Sequence, residues 1–165
     1  MSSAWPTRRT DLMSRFDPLR PGAFAHAGTF NNNVFTMSAG VAGLRDVYTP
    51  EVALELNARG DALRARLNAC AQRARFPMQF TGRGSMMNVH MCGGIVRSVR
   101  DLAASIAPMR ELFYFDMLGQ GVWVARRGMI NLSLPIGVEE CERLVRAVEF
   151  FVDMRNPLFE GAGSA

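Results

Sequence analysis

The sequence contains no lysine, because all 19 of its basic residues are arginine. Arginine stays protonated in proteins, whereas a lysine amine can lose its proton and form a Schiff base with a carbonyl compound. Chemistry that needs a lysine amine is therefore excluded for the side chains of this chain.

Cysteine is scarce, with Cys70, Cys92 and Cys141 far apart along the chain. Their odd number and the lack of a C-x-x-C spacing indicate neither a disulfide framework nor a zinc site, and we expect no bound metal. Free cysteine packs as a small apolar side chain. We therefore expect all three in the core.

Long apolar runs and clusters of charge are also missing. No run approaches the roughly 20 residues that span a bilayer, and the first fifteen residues lack the apolar stretch of a signal peptide. The net charge of +4 comes from scattered arginines that are not interleaved with aromatic residues. These absences predict a cytoplasmic protein with neither a membrane nor a nucleic-acid partner.

The composition that remains is that of one globular domain, with 165 residues of which 48% are hydrophobic. Apolar residues at helical spacing predict four helices. They are a helix that one of the preceding asparagines caps, with its stripe at Val34, Met37, Val41 and Leu44, a long helix capped by Thr49, a short helix from Ala107 that ends at Gly119 or Gly121, and a final helix over 138–155. A helical turn is also predicted around Asp11 to Phe16.

Strand patterns occur between these helices. The segment "MQFTGRGSMMNVHM" alternates, with Met87, Val89 and Met91 on one side, and predicts a strand after a glycine-rich turn. "VWVA" (122–125) and "MINLSLPI" (129–136) predict two more. The resulting order predicts an α+β fold, in which helices cover one face of a small antiparallel sheet.

Few side chains in this sequence suggest catalysis or binding. His90 and His26 are candidate general bases, since imidazole titrates near neutrality, although a hydrogen-bonded structural histidine explains His90 as well. Arg126 and Arg127, in a turn between strands, form a candidate clamp for a substrate carboxylate, although a solvated pair in a β-turn is the simpler explanation.

A polar stretch over His26 to Gly40, "HAGTFNNNVFTMSAG", precedes the first predicted helix. A Gly-Thr turn at a helix start offers unpaired N–H groups and the positive end of the helix dipole, which is a ready anion site. A purely structural capping role for Thr29 and one asparagine explains the same residues.

The same stretch resembles the "AGT(F/L)SGNPLAMAAG" signature of class III aminotransferases, especially the glutamate-1-semialdehyde 2,1-aminomutase branch. "GRGSMMNVHM", "FYFDMLGQGVWVARRGMINLSLPIGVEECERLVRAVEFF" and "SAWPTRRTDLMSRFDP" are similar to further family segments in the same order. The resemblance covers roughly residues 3–159. Asn31 to Val34 depart from it, because the family has Ser-Gly-Asn-Pro there.

That family uses pyridoxal phosphate, which a lysine holds in a large domain. The resemblance implies that this chain matches the family's interface segment and C-terminal small domain, with the lysine region lying upstream of Met1. It also implies that Gly28, Thr29, Asn31 and Asn33 contact the cofactor phosphate across an interface. The chain alone is expected to hold no cofactor.

The expected organisation is an arm over 1–25, a Gly-Thr turn with an interface helix over 26–48, the small domain over 49–159 and a flexible tail over 160–165. Three functions stay open. The chain is a truncated aminotransferase or aminomutase that works on a small-molecule substrate beside a lysine-bearing subunit, a cofactor-independent isomerase or cyclase, or a non-catalytic regulatory subunit. Self-association is the alternative to the lysine-bearing partner.

Overall fold

The computed structural model describes residues 10–25 and 33–160. The chain divides into two compact units, Met1–Tyr48 and Thr49–Ala165. In the described ranges no helix is both long and apolar enough to cross a membrane. The predicted arm, interface segment and tail stay predictions.

The described part of the first unit contains two helical stretches. Helix α1 (Thr10–Met13) runs into a 3-10 turn (Ser14–Phe16), which confirms the helical turn predicted there. Helix α2 (Val34–Ala42) continues into a π-helical turn (Gly43–Val47). Every residue of α2 is exposed, and this includes Val34, Met37 and Val41 of the predicted apolar stripe.

The second unit has four α-helices in its described part. They are α3 (Pro50–Arg73), α4 (Ala107–Gly119), α5 (Val138–Arg155) and α6 (Pro157–Glu160), with a 3-10 helix over Val99–Ala104. Thr49 caps α3 by accepting a hydrogen bond from the Val52 N–H. The Glu140 carboxylate accepts one from the Gly137 N–H at 2.8 Å and so ties down the start of α5. Helix α5 has the predicted bounds, and α4 ends at Gly119, the first of the two predicted ends.

Three antiparallel strands form the sheet of the second unit, in the order β1 (Gln79–Arg83), β2 (Met86–His90) and β3 (Met129–Asn131). Phe80 lies opposite Val89, and Met87 lies opposite Ile130. These four side chains are buried with residues of α3, α4 and α5. The predicted α+β fold, with helices on one face of a small antiparallel sheet, is therefore confirmed.

Two details of the predicted sheet are wrong. Residues 122–125 form no strand: the Ala125 N–H donates to the Met129 carbonyl at 3.2 Å, and the two segments then separate. The sheet instead contains β1 (Gln79–Arg83), which the sequence did not predict as a strand. The predicted strand over 129–136 ends at Asn131, opposite Met86 at the start of β2, and one further bond joins the Leu132 N–H to the Ser85 carbonyl in the β1–β2 turn.

Large side chains from helices and sheet fill the core. Phe113 of α4 meets Phe151 of α5 edge to face, with ring centroids 5.2 Å apart, and Phe76 meets the other side of Phe151 at 5.5 Å. The three cysteines are buried and unpaired, as predicted. Aromatic edge-to-face contacts of this kind fix the relative positions of the two helices.

Helix α3 and the β1–β2 turn approach each other closely at Gly60. A Cβ there would lie 2.2 Å from the carbonyl oxygen of Gly84, so only glycine fits. The Asp61 carboxylate accepts a hydrogen bond from the Gly84 N–H at 2.9 Å. These contacts fix the β1–β2 hairpin against α3. They therefore also fix the orientation of the outer face of the sheet, which points away from the core.

Candidate functional site

The predicted phosphate-binding residues fall mostly outside the described ranges. His26, Gly28, Thr29 and Asn31 lie there, and their roles stay predictions. Asn33 is described, and its Oδ1 accepts a hydrogen bond from the Thr36 N–H at 3.1 Å. A capping asparagine is thus confirmed, and the structure identifies it as Asn33 among the three candidates. The contact of Asn33 with a phosphate remains a prediction.

His90 lies on the outer face of the sheet, half-buried at the end of β2. Its Nε2 is 2.8 Å from the Thr81 hydroxyl oxygen on β1. Burial, and then the positive charge of Arg110, lower the pKa of His90 below its ordinary value. The imidazole is therefore neutral at neutral pH and bound to a hydroxyl, and in the described part of the chain no hydrogen-bonded carboxylate orients it.

The two arginines of the predicted clamp have different surroundings. Both the Nε and an Nη of Arg126 bond to one carboxylate oxygen of Glu111, at 2.7 and 2.6 Å. Its guanidinium carbon also lies 5.9 and 5.8 Å from the ring centroids of Tyr114 and Phe115. The guanidinium of Arg126 is therefore engaged in an ion pair with Glu111 and is less available than a free guanidinium to bind a substrate carboxylate.

Arg127 is exposed, and its described contact is a weak one from Nη2 to the Met129 sulfur at 3.4 Å. No ion pair occupies its guanidinium within the described ranges. Of the predicted pair, Arg127 is therefore the one that is available to an anion.

The turn that carries these arginines is fixed against β2. Gly128 has a φ of +91°, and a Cβ there would lie 2.7 Å from Asn88 Oδ1. The Gly128 carbonyl accepts a hydrogen bond from the Val89 N–H at 3.0 Å. Glycine is thus required both by the backbone conformation and by the close approach, and the turn lies beside the strand that carries Asn88 and His90.

Arg110 is a site residue that sequence reasoning missed. It is half-buried on α4, and its charge acts on His90. Its buried Nε has no hydrogen-bond partner in the described part of the chain, and neither has Asn88 Oδ1. No sequence signal distinguishes Arg110 from a solvated helix arginine, because only the folded chain places it beside β2.

We call Thr81, Asn88 and His90, which lie on the outer face of β1 and β2, the outer polar cluster. It combines a neutral imidazole, a hydroxyl and an amide, and the positive charge of Arg110 acts on it, which suits the binding of a polar group. Proton transfer at His90 would have to proceed without an orienting carboxylate. The chemistry of the outer polar cluster therefore favours binding of a polar ligand over catalysis of proton transfer.

The chain is similar in sequence to class III aminotransferases. The chain is 49% identical to β-phenylalanine transaminase of Variovorax paradoxus over 144 residues, which are 87% of this chain and 33% of that enzyme. It is 41% identical over 151 residues to an uncharacterized aminotransferase of Schizosaccharomyces pombe, covering 91% of this chain and 34% of that protein.

A glutamate-1-semialdehyde 2,1-aminomutase, that of Opitutus terrae, is also a relative, at 32% identity over 117 residues, 71% of this chain and 27% of the enzyme. The crystal structure of the V. paradoxus enzyme matches the fold with a TM-score of 0.85 and 48% identity, covering 91% of this chain and 35% of that one. No family model matches the chain.

The homologues of this chain are therefore class III aminotransferases, and the chain spans about a third of the length of the relatives it matches. Its fold is part of the fold-type I transaminase fold. The resemblance seen in the sequence motifs is thereby confirmed.

Pyridoxal phosphate, the cofactor that this family implies, does not fit the side chains of this chain alone. The chain has no lysine, and the described residues that cluster at the sheet offer an imidazole and guanidinium groups but no amine. A guanidinium or a neutral imidazole does not replace an amine as the covalent anchor of an aldehyde cofactor. The chain therefore does not form a self-sufficient site for this cofactor.

Proposed function

We propose that this chain forms one part of a pyridoxal phosphate-dependent enzyme that transfers the amino group of β-phenylalanine or a related amino acid. The lysine that holds the cofactor belongs to a region outside this sequence. The observation that carries the proposal is the match to β-phenylalanine transaminase, with 48% identity and a TM-score of 0.85 over 91% of the chain, in a sequence that has no lysine.

In this proposal the chain contributes binding groups and the lysine-bearing region contributes the cofactor. The Gly28–Thr29 turn, with Asn31 and Asn33, binds the cofactor phosphate across the interface between the two. Arg127 binds the carboxylate of the amino acid, since its guanidinium is exposed and no ion pair occupies it in the described ranges.

Complementation tests this division of roles. The chain is mixed or co-expressed with the remaining two thirds of the V. paradoxus enzyme, and transamination of β-phenylalanine is measured with added pyridoxal phosphate. We expect activity from the mixture and none from either part. Borohydride reduction of the chain alone should leave no adduct on a side chain, because no side chain offers an amine.

The role of Arg127 is tested by Arg127→Gln in the complemented enzyme. Loss of a charge-assisted contact to the carboxylate should raise KM for the amino acid about tenfold or more, with a smaller effect on kcat. Arg146→Gln, an exposed arginine on α5, is the matched control and should leave both constants unchanged. An unchanged KM in Arg127→Gln would remove Arg127 from the proposed site.

The same experiments separate the alternatives. Turnover of a metabolite by the chain alone, without cofactor, would favour an isomerase or cyclase. Binding to a complete relative that changes the rate of that relative, with no complementation of the fragment, would favour a regulatory subunit.

A further inference from the structure

An apolar groove opens in the second unit where a hairpin fails to close. The turn after Ala125 is tight, since the Gly128 N–H donates to the Ala125 carbonyl at 2.7 Å and the Ala125 N–H donates to the Met129 carbonyl at 3.2 Å. Beyond this pair the two arms, 122–125 and 129–132, separate. They border a cavity of about 480 Å³ between the hairpin, α3 and α5.

The main chain facing this groove has unused hydrogen-bonding groups. The Leu132 N–H points towards β2, where it bonds at 2.9 Å to the carbonyl of Ser85 in the β1–β2 turn. Successive residues of a strand direct their main-chain groups to opposite sides, so those of Asn131 point away from β2 and into the groove. On the opposite arm the Ala125 N–H faces β3, since it donates to the Met129 carbonyl.

Neither the Asn131 N–H nor the Trp123 N–H has a hydrogen-bond partner in the part of the chain that is described. Strand β3 is thus an open sheet edge, and pairing with another strand is the usual way to satisfy such an edge. The cavity of about 480 Å³ lies beside this edge.

The lining of the groove favours an apolar peptide over a small charged ligand. Its floor consists of the buried side chains Leu63, Ile130, Leu132, Cys141 and Leu144. Its charged lining residues, Glu140 and Arg143, are exposed and of opposite sign, so the groove selects neither anions nor cations. Trp123 is 83% exposed at its border and is placed to cover an inserted segment.

We propose that an extended, apolar segment of the lysine-bearing region inserts into this groove and adds a strand to the sheet beside β3. The inference rests on the proposed function, since it names where the two parts of the enzyme join. The relatives supply the argument for this occupant. The chain spans about a third of each, so the other two thirds of their length have no counterpart among the residues that border the groove.

Main-chain pairing at an edge strand can be removed at one residue. Asn131→Pro deletes the N–H that points into the groove and leaves the bonds to β2 in place, because proline is tolerated on an edge whose N–H faces outward. Asn131→Ala keeps that N–H and is the matched control. Thermal unfolding of both variants should show that they remain folded.

Association is measured by titrating each variant with the remaining two thirds of the V. paradoxus enzyme. We expect Asn131→Pro to weaken binding at least tenfold and Asn131→Ala to bind like the unchanged chain. Trp123 gives a second reading in a Trp5→Phe background, because the chain has two tryptophans. Its fluorescence should shift to shorter wavelength when the inserted strand covers the ring.

The outcomes distinguish this inference from the proposed function. If the unchanged chain neither binds nor complements the remaining two thirds of the V. paradoxus enzyme, both the proposed function and this inference are contradicted. If the unchanged chain and Asn131→Pro complement that fragment equally well, with no shift in Trp123 emission, the two parts do not associate through the groove. Only this inference is then contradicted. If the chain alone dimerises with the shift and Asn131→Pro prevents it, the occupant is a second copy and the proposal is overturned.

Discussion

At the scale of single residues, His90 is a group whose surroundings predict a pH dependence. Burial and the charge of Arg110 lower the pKa of this histidine in the folded chain, whereas in the unfolded chain it returns to about 6.5. The unfolded state therefore binds the proton more readily. Stability is fully present above pH 6.5 or so, and it falls as the pH drops from there through the lower, folded-state pKa.

The expected result is a lower urea midpoint at pH 5.5 than at pH 7.5 for the unchanged chain, and a smaller difference for His90→Gln. Equal pH dependence in His90→Gln and the unchanged chain would show that His90 is not the group that titrates.

Individual residues also show how far the candidate site follows from sequence. His90 and the Arg126–Arg127 pair can be singled out by residue type alone, because imidazole and guanidinium groups are few or adjacent. Which of the two arginines forms an ion pair depends on Glu111, fifteen residues before Arg126. That the buried Nε of Arg110 lacks a hydrogen-bond partner depends on how α4 packs in the folded chain. Such pairings arise from packing, which local spacing does not encode.

At the scale of elements, Asn68 joins α3 to the open edge of β1. Its amide nitrogen donates to the Phe80 carbonyl at 2.9 Å, and its amide oxygen accepts from the Phe80 N–H at 2.8 Å. The side chain thus replaces the missing neighbouring strand at one residue. An edge strand that is satisfied in this way offers no pairing site at Phe80.

Asn68→Leu should lower the free energy of unfolding by about 2 to 4 kcal/mol, because it leaves both main-chain groups of Phe80 without partners in a partly buried place. Gln72→Leu, at an exposed position one turn later on the same helix, is the matched control and should change stability by less than about 0.5 kcal/mol. Chemical denaturation of the three proteins measures the difference, and equal losses in both variants would contradict the bridging role.

The same elements show which parts of the fold the sequence predicts. Helices α3 and α5 carry a cap or an acidic first turn and an unbroken apolar stripe, so spacing and end signals agree. Strand β1 has one fully buried side chain, Phe80, beside Gly82 and Arg83, which is too weak a pattern to predict a strand. Residues 122–125 have strong strand propensity, yet no neighbour lies close enough to complete a ladder.

At the scale of the whole molecule, the core belongs to the second unit. Each buried apolar residue of the described chain lies between Leu56 and Val152, within the unit Thr49–Ala165. We therefore expect residues 49–165 to fold without the first unit and to unfold in one cooperative transition at the midpoint of the full chain. Differential scanning calorimetry of both proteins checks this, and a broad or much lower transition of the shorter one would contradict it.

Helix α2 has a consequence for how the molecule behaves in concentrated salt. Its nine residues carry no ionisable side chain, and all of them face solvent. Sulfate and similar ions are excluded from protein surfaces and strengthen the burial of apolar area, so they act on this helix more than on the charged helices α3 and α5. Ammonium sulfate should therefore salt out the chain through this segment, and hydrophobic-interaction media should retain it by the same nine residues.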